Sequence, residues 1–151
     1  MSAPSFFLRR YHADDETAAI EVWRRTWQVA YPHIDFAARL DWWRERWRKE
    51  LVPITQIVVV EISGALSGFV TVDAATGYLD QIVVAPEAWG CGIAHVLVAE
   101  AKRIAPAGLD LFVNEDNARA IRFYEKNGFV RAGAGTHSLS GAPTCRMIWR
   151  P

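Results

Sequence analysis

The residues best placed to do chemistry lie between Leu79 and Arg103, in LDQIVVAPEAWGCGIAHVLVAEAKR. The β-branched run Ile82, Val83 and Val84 reads as a strand covered on both faces, and Pro86 ends it by removing a ladder donor. Gly90 and Gly92 then turn the chain into a helical pattern carried by Ile93, Val96 and Leu97. Backbone amides from Gly90 through Cys91, Gly92, Ile93 and Ala94 to His95 stand at that helix start. Exposed N–H groups and partial positive charge there favour an anion such as a phosphate. The two glycines equally suit a plain tight turn, so the motif takes its meaning from context. A dinucleotide fingerprint is excluded: His95 occupies the third glycine position, and Asp110 precedes its strand's apolar run and sits at the wrong end to reach a ribose. No Gly-Lys-Ser/Thr follows the turn, which excludes a Walker loop.

The elements that position this turn follow from punctuation and periodicity. Phe6 to His12 reads as a strand, and the carboxylates of Asp14 to Glu16 mark a helix start. In that helix Ile20, Trp23 and Trp27 recur at helical spacing until Pro32 stops the pattern, which leaves Tyr31 at a helix-to-loop exit. A second helix is predicted over Phe36 to Glu50. Its Trp42, Trp43 and Trp47 alternate with Arg39, Arg44, Arg46, Arg48 and Lys49, a mixture that suits either an anion-binding surface or a solvated face. Asp41, Glu45 and Glu50 offset the charge and favour the solvated face. TQIVVVEI and ALSGFVTVDA form a hairpin through Ser63 and Gly64, and Thr76 and Gly77 lead into the strand at Tyr78. Pro106 and Gly108 close the helix after the glycine turn, and LDLFV should run parallel to the strand before that helix. A last helix over Asn117 to Asn127, capped by Asn114 or Asn117 and stopped by Gly128, precedes strands at about Phe129 to Leu139 and Thr144 to Arg150. The fold class expected is α/β (α+β): one domain over residues 1–151, with a mixed, mostly antiparallel sheet of six to seven strands and helices on both faces.

Composition narrows the function. The chain has 151 residues, 51% of them hydrophobic and 23% charged, which fits one globular domain. Seventeen basic and seventeen acidic residues cancel, which argues against nucleic acid or an anionic membrane as a partner and for a small-molecule or peptide substrate. No apolar run approaches a membrane span, and no basic start with a long apolar core opens the chain, so a cytoplasmic protein is expected. Cys91 and Cys145 lack metal-ligand spacing and read as free thiols.

The second informative stretch is LFVNEDNARAIRFYEKNGFV, Leu111 to Val130. Its pattern Asn117-x-x-Ala120-x-x-Phe123-Tyr124-x-x-x-Gly128-Phe129 follows a strand that itself follows Pro-x-x-x-Gly-x-Gly. Together these resemble the GNAT superfamily of acyl-CoA-dependent N-acyltransferases over most of Leu66 to Val130. The resemblance implies that the two central parallel strands splay apart and that acetyl-CoA is the cosubstrate, with no metal. Main-chain groups of Ile82, Val83 and Val84 would then pair with the pantetheine and hold the acyl carbonyl. The turn from Trp89 and Gly90 to His95 would take the pyrophosphate, and Asn117 would hydrogen-bond the pantetheine arm. Tyr124 matches the tyrosine that in many members protonates the departing thiolate; read without the motif, it is a packing residue of an amphipathic helix. Trp27, Tyr31 and His33 would border the acceptor pocket, near an AYPHI segment similar to one that many members place there.

Three positions depart from the family pattern. Trp89 stands where Gln or Arg is frequent, Cys91 where a basic residue is frequent, and Ala94 where a third glycine is common. The phosphates therefore rest on backbone donors, and Arg122, Lys126 and Lys102 read as solvated rather than compensating charges. Amine attack on a thioester also needs a proton acceptor, and Asp80 is the first candidate, with Glu115 and Asp116 behind it and His12 and His33 weaker, although His33 lies where the acceptor should enter. The expected function is acetyl transfer to a primary amine of a small molecule or peptide by direct attack in a ternary complex, performed by a monomer or homodimer. The competing reading is a non-catalytic acyl-CoA sensor on the same fold.

Overall fold

The computed structural model describes residues 5–137 and 141–151. Its seven strands are β1 (Phe6–Arg10), β2 (Gln56–Ile62), β3 (Ala65–Asp73), β4 (Tyr78–Val84), β5 (Leu109–Asn114), β6 (Val130–Thr136) and β7 (Pro143–Trp149), in the spatial order β1-β2-β3-β4-β5-β7-β6. The strand expected to reach Leu139 ends at Thr136, and Leu139 lies outside the described residues. Ser63 and Gly64 both have positive φ, 52° and 81°, which gives the β2–β3 hairpin the two-residue turn that matches strand twist.

The helices are α1 (Glu16–Ala30), α2 (Leu40–Arg46), α3 (Val52–Ile54), α4 (Ile93–Ile104) and α5 (Ala118–Lys126). Side chains alternate across each strand, so the β-branched runs fill two cores at once. Val59, Phe69 and Val83 face α1 and α2, where they meet Trp23, Trp43 and Trp47. Val58, Val60, Val70 and Val84 face the other way and pack with Leu97, Leu111 and Tyr124.

The second predicted helix departs from its expected shape. A 3-10 turn at Ala37–Arg39 opens it, a π-helical turn at Trp47–Leu51 follows α2, and α3 carries it past Glu50 with Pro53 in its first turn. The π turn leaves Trp47 and Leu51 both buried. Trp43 is also buried and only Trp42 of the three tryptophans is exposed. Three of the interleaved cations are held in ion pairs, Arg46 to Glu50 at 3.0 Å and to Asp80, Arg48 to Glu16 at 2.6 Å and Lys49 to Glu45 at 2.7 Å.

One parallel junction governs the site. β4 and β5 share a single register pair, Tyr78 with Asp110, fastened by the Asp110 amide on the Gly77 carbonyl at 2.9 Å. Beyond it the two strands part, while β4 stays paired to β3 up to Val84 opposite Gly68 and β5 stays paired to β7 up to Asn114 opposite Thr144. Asp80 has no partner on β3, because the register steps from Thr71–Gln81 to Val72–Leu79. Such a bulge bends the strand that carries the extra residue.

Candidate active site

A cleft of about 520 Å³ opens at the end of β4, between the start of α4 and one flank of α5. On the α4 side the chain leaves Val84 through a 3-10 turn at Pro86–Ala88 and enters the helix at Gly92, whose φ of 81° and ψ of 4° are left-handed. Gly90 has the same φ. A Cβ added at either glycine would meet nothing within 4 Å, so backbone conformation and open space, rather than packing, call for glycine here. Among the described residues the amides of Gly90, Cys91, Gly92, Ile93, Ala94 and His95 have no internal acceptor; the first bond of the helix is Val96 N–H to the Gly92 carbonyl at 3.2 Å. Unpaired amides in series at a helix start form an anion-binding concavity. Cys91 is exposed and free.

The opposite wall is cationic. Arg119, Arg122 and Lys126 line the cleft from α5, and each is exposed. No carboxylate pairs with any of them among the described residues. Arg122 and Lys126, expected on a solvated face, thus face the amides. Lys102 does not: its Nζ donates to the Asn127 carbonyl at 2.6 Å and sits over the Trp149 ring. Arg119 was missed in the sequence, although the spacing 119, 122, 126 places all three on one side of a helix. His95 joins the two walls, its Nδ1 lying 3.1 Å from Nδ2 of Asn127 and its ring against Phe123.

Trp89 alters the pantetheine track. Its indole Nε1 donates to the Val84 carbonyl at 2.7 Å, and the Thr26 hydroxyl reaches the same oxygen at 3.3 Å. Both acceptor positions of Val84 O are therefore taken, so among the main-chain groups of Ile82 to Val84 expected to meet the pantetheine this carbonyl is already occupied. The guanidinium of Arg119 lies over the Trp89 ring, 5.1 Å from its centroid.

α5 carries the remaining cofactor-side candidates. Asn117, not Asn114, is its N-cap, with Oδ1 accepting the Ala120 amide at 3.1 Å, so only the side-chain NH2 is left to donate. At the other end Gly128, at φ 89°, lets the Phe129 amide reach the Tyr124 carbonyl and its own amide reach Glu125, a paired closure that fixes where α5 stops. Tyr124 is buried between Phe123 and Phe129, with ring centroids 5.3 and 5.4 Å away. Its hydroxyl has no hydrogen-bond partner among the described residues, and burial pushes the phenol well above its ordinary range. The group therefore keeps its proton.

The far side of the splay belongs to α1. Trp27 stacks on Tyr31 at 5.6 Å and 17°, and Tyr31 meets exposed His33 edge-on. The Tyr31 hydroxyl accepts from Asn114 Nδ2 at 3.0 Å, which ties the exit of α1 to the open end of β5. Gln28 sets the loop between, donating to the Ile34 carbonyl at 2.7 Å and accepting from the Phe36 amide. Asp80 is not brought to this opening. It lies two residues from the closed Tyr78 end, gripped in a two-pronged ion pair by Arg46, with Gln81 donating at 3.0 Å to one of the same oxygens. His12 caps the 3-10 turn before α1, accepting the Asp14 amide at 3.1 Å.

A mixed seven-stranded sheet with one diverging parallel junction, an amide-lined turn beside it and helices on both faces defines an acyl-CoA-dependent acyltransferase of the GNAT type. Residues 17–129 match the model of the Acetyltransferase (GNAT) family, and the chain belongs to that family. It is similar to the peptidyl-lysine N-acetyltransferase YjaB of Salmonella typhimurium strain LT2, 28% identical over 137 residues, which cover 90% of this chain and 91% of that one. The Escherichia coli K12 protein of the same name is 38% identical over 66 residues, 44% of each chain. The fold superposes on the solution structure of apo YjaB from Escherichia coli with a TM-score of 0.77 at 24% identity, over 96% of this chain and 97% of that one. It superposes equally fully on the PaiA N-acetyltransferase of Thermoplasma acidophilum in complex with coenzyme A, with a TM-score of 0.75 at 21% identity over 97% and 99% of the chains. No helix among the described residues is long and apolar enough to cross a membrane, and no cluster of His, Cys, Asp and Glu among them could hold a metal.

Proposed function

We propose that this chain transfers the acetyl group of acetyl-CoA to a primary amine, on a peptide or a small molecule, by direct attack while both are bound. The observation that carries this reading is the run of unpaired amides from Gly90 to His95, opening on a cleft beside the splayed end of β4. That donor set fits a pyrophosphate, and the open space at Gly90 and Gly92 admits one. Acetyl-CoA supplies an activated acetyl thioester; the chain supplies position and protons. The free donors of Asn117 and the β4 edge orient the pantetheine arm. Trp27, Tyr31 and His33 border the amine's approach from across the splay. As the new N–C bond forms and the C–S bond breaks, the Tyr124 phenol gives its proton to the departing sulfur.

Asp80 is better assigned to structure than to proton abstraction, since both its oxygens are engaged by Arg46. The amine's proton leaves to water at the open mouth, where exposed Glu115 and Asp116 follow β5. The likeness to two peptidyl-lysine N-acetyltransferases makes a lysine side chain in a peptide the first acceptor to try.

The test offers acetyl-CoA with a panel of lysine peptides and small primary amines and follows free thiol. Release of thiol that requires one class of acceptor is the expected result. Saturable acetyl-CoA binding with no thiol released by any acceptor would make the chain a binding module instead.

A further inference from the structure

The cleft carries more positive charge than its amide turn can use. The amides of Gly90 to His95 converge on one anion, which a pyrophosphate satisfies. Yet Arg119, Arg122 and Lys126 line the facing wall, spaced along seven residues of α5, about 10 Å of helix. Exposed cations on a helix usually find a carboxylate three or four residues away, as Arg24 does with Glu21 and Lys49 with Glu45. These three pair with none among the described residues, although Asp116 stands three residues before Arg119 and Glu125 three after Arg122. The strip also has a direction. Arg119 sits over Trp89, whose indole is fastened to the end of β4. Lys126 sits at the other end, beside the His95–Asn127 contact that joins the walls. Asn117 and β4, where the pantetheine arm would lie, are at the Arg119 end.

On the acetyl-CoA reading given above, we propose that Arg122 and Lys126 form a second anion site that takes the ribose 3′-phosphate of coenzyme A, while Arg119, held by Trp89, faces the pyrophosphate in place of the charge that Trp89 and Cys91 do not supply to the turn. The chain thereby selects the 3′-phosphorylated cofactor. A phosphate monoester carries close to two charges at neutral pH, and paired cations bind it through charge-assisted hydrogen bonds that an unphosphorylated ribose cannot make.

Calorimetric titration of coenzyme A and of dephospho-coenzyme A into the wild-type chain, into R122Q/K126Q and into R131Q tests this. R131Q removes an exposed charge on β6, outside the cleft. The wild type and R131Q should bind coenzyme A about 10-fold or more tightly than the dephospho form. The double variant should bind both alike, at the wild-type affinity for the dephospho form, with a shallower fall of affinity with added salt. Equal binding of the two cofactors by the wild type, or a discrimination unchanged in the double variant, overturns the second site and leaves the acetyl-CoA reading standing. Failure of both cofactors to bind the wild type overturns the second site and the acetyl-CoA reading together. Thermal midpoints of the variants, expected unchanged because these side chains are exposed and unpaired, show that each is folded.

Discussion

On the proposed mechanism Tyr124 is a packing residue that also serves as the acid, and its burial keeps the proton in place until the thiolate departs. Phe123 and Phe129 hold its ring, and burial without a partner for the hydroxyl keeps the phenol protonated past its ordinary value of 10.0. Tyr124→Phe keeps the ring contacts and removes only the donor. Turnover should fall about 10²-fold, the usual size of a lost acid–base contribution, while acetyl-CoA affinity changes little. In the wild type the rate should show no loss from tyrosine ionisation up to pH 10, because the folded-state value lies above that. A phenylalanine variant running at wild-type rate across the pH range would return Tyr124 to the core. Gly92 makes the complementary case for the turn. Its left-handed φ of 81° and the empty space beside it mean that Gly92→Asp adds strain, bulk and like charge where a phosphate would sit. Acetyl-CoA binding should disappear in a calorimetric titration of the folded variant, and retained affinity would move the cofactor elsewhere.

At the scale of elements, α5 is the piece on which structure and site depend together. Asn117 both starts the helix, through Oδ1 on the Ala120 amide, and keeps its NH2 free for a ligand. Asn117→Ala should therefore cost about 1 kcal/mol of stability, as a lost cap does, and also weaken acetyl-CoA binding. Asn117→Asp separates the two effects, since it keeps the capping oxygen but not the donor. It should restore the denaturation midpoint without restoring affinity, and recovery of both would confine Asn117 to capping. The boundaries of α5 were readable because Asn117 and Gly128 act locally, and the same is true of the glycine turn. The long tryptophan-rich helix was less readable: its π turn serves the burial of Trp47 and Leu51 against the sheet, a tertiary demand invisible to periodicity. Asn114 on Tyr31 escaped for the same reason, joining residues 83 apart, whereas Trp89 on Val84 O is a contact five residues long set by the turn geometry rather than by periodicity. Arg119 had a legible spacing but needed the facing wall to give it meaning.

The whole molecule is built on a sheet whose β2–β3–β4 hairpins and parallel β4–β5 crossover were legible in the sequence, whereas the insertion of β7 between β5 and β6 was not and the divergence of β4 from β5 came from family resemblance. What braces that open sheet is a set of ion pairs between neighbouring elements. Arg9 on β1 binds Asp15 at 2.8 Å and Glu61 of β2 at 2.6 Å. Arg146 on β7 binds Asp110 of β5 at 2.7 Å, beside the one parallel pair that closes the splay. The Arg9 guanidinium holds the Asp15 carboxyl below its ordinary 3.8, and Arg146 does the same for Asp110. A carboxyl whose folded value is depressed contributes stability that is complete above the unfolded value and lost as pH falls toward the folded one. Denaturant midpoints should therefore be flat from pH 7 to about 5, then decline as pH drops through and below 3.8, with partly exposed Asp15 and Asp110 each adding to the slope. Asp15→Asn with Asp110→Asn removes both titrations. The double variant should be less stable at pH 7, and its midpoint should fall less steeply between pH 4 and 2 than that of the wild type. An acid limb as steep in the variant as in the wild type would place the acid sensitivity of the fold in other carboxyls.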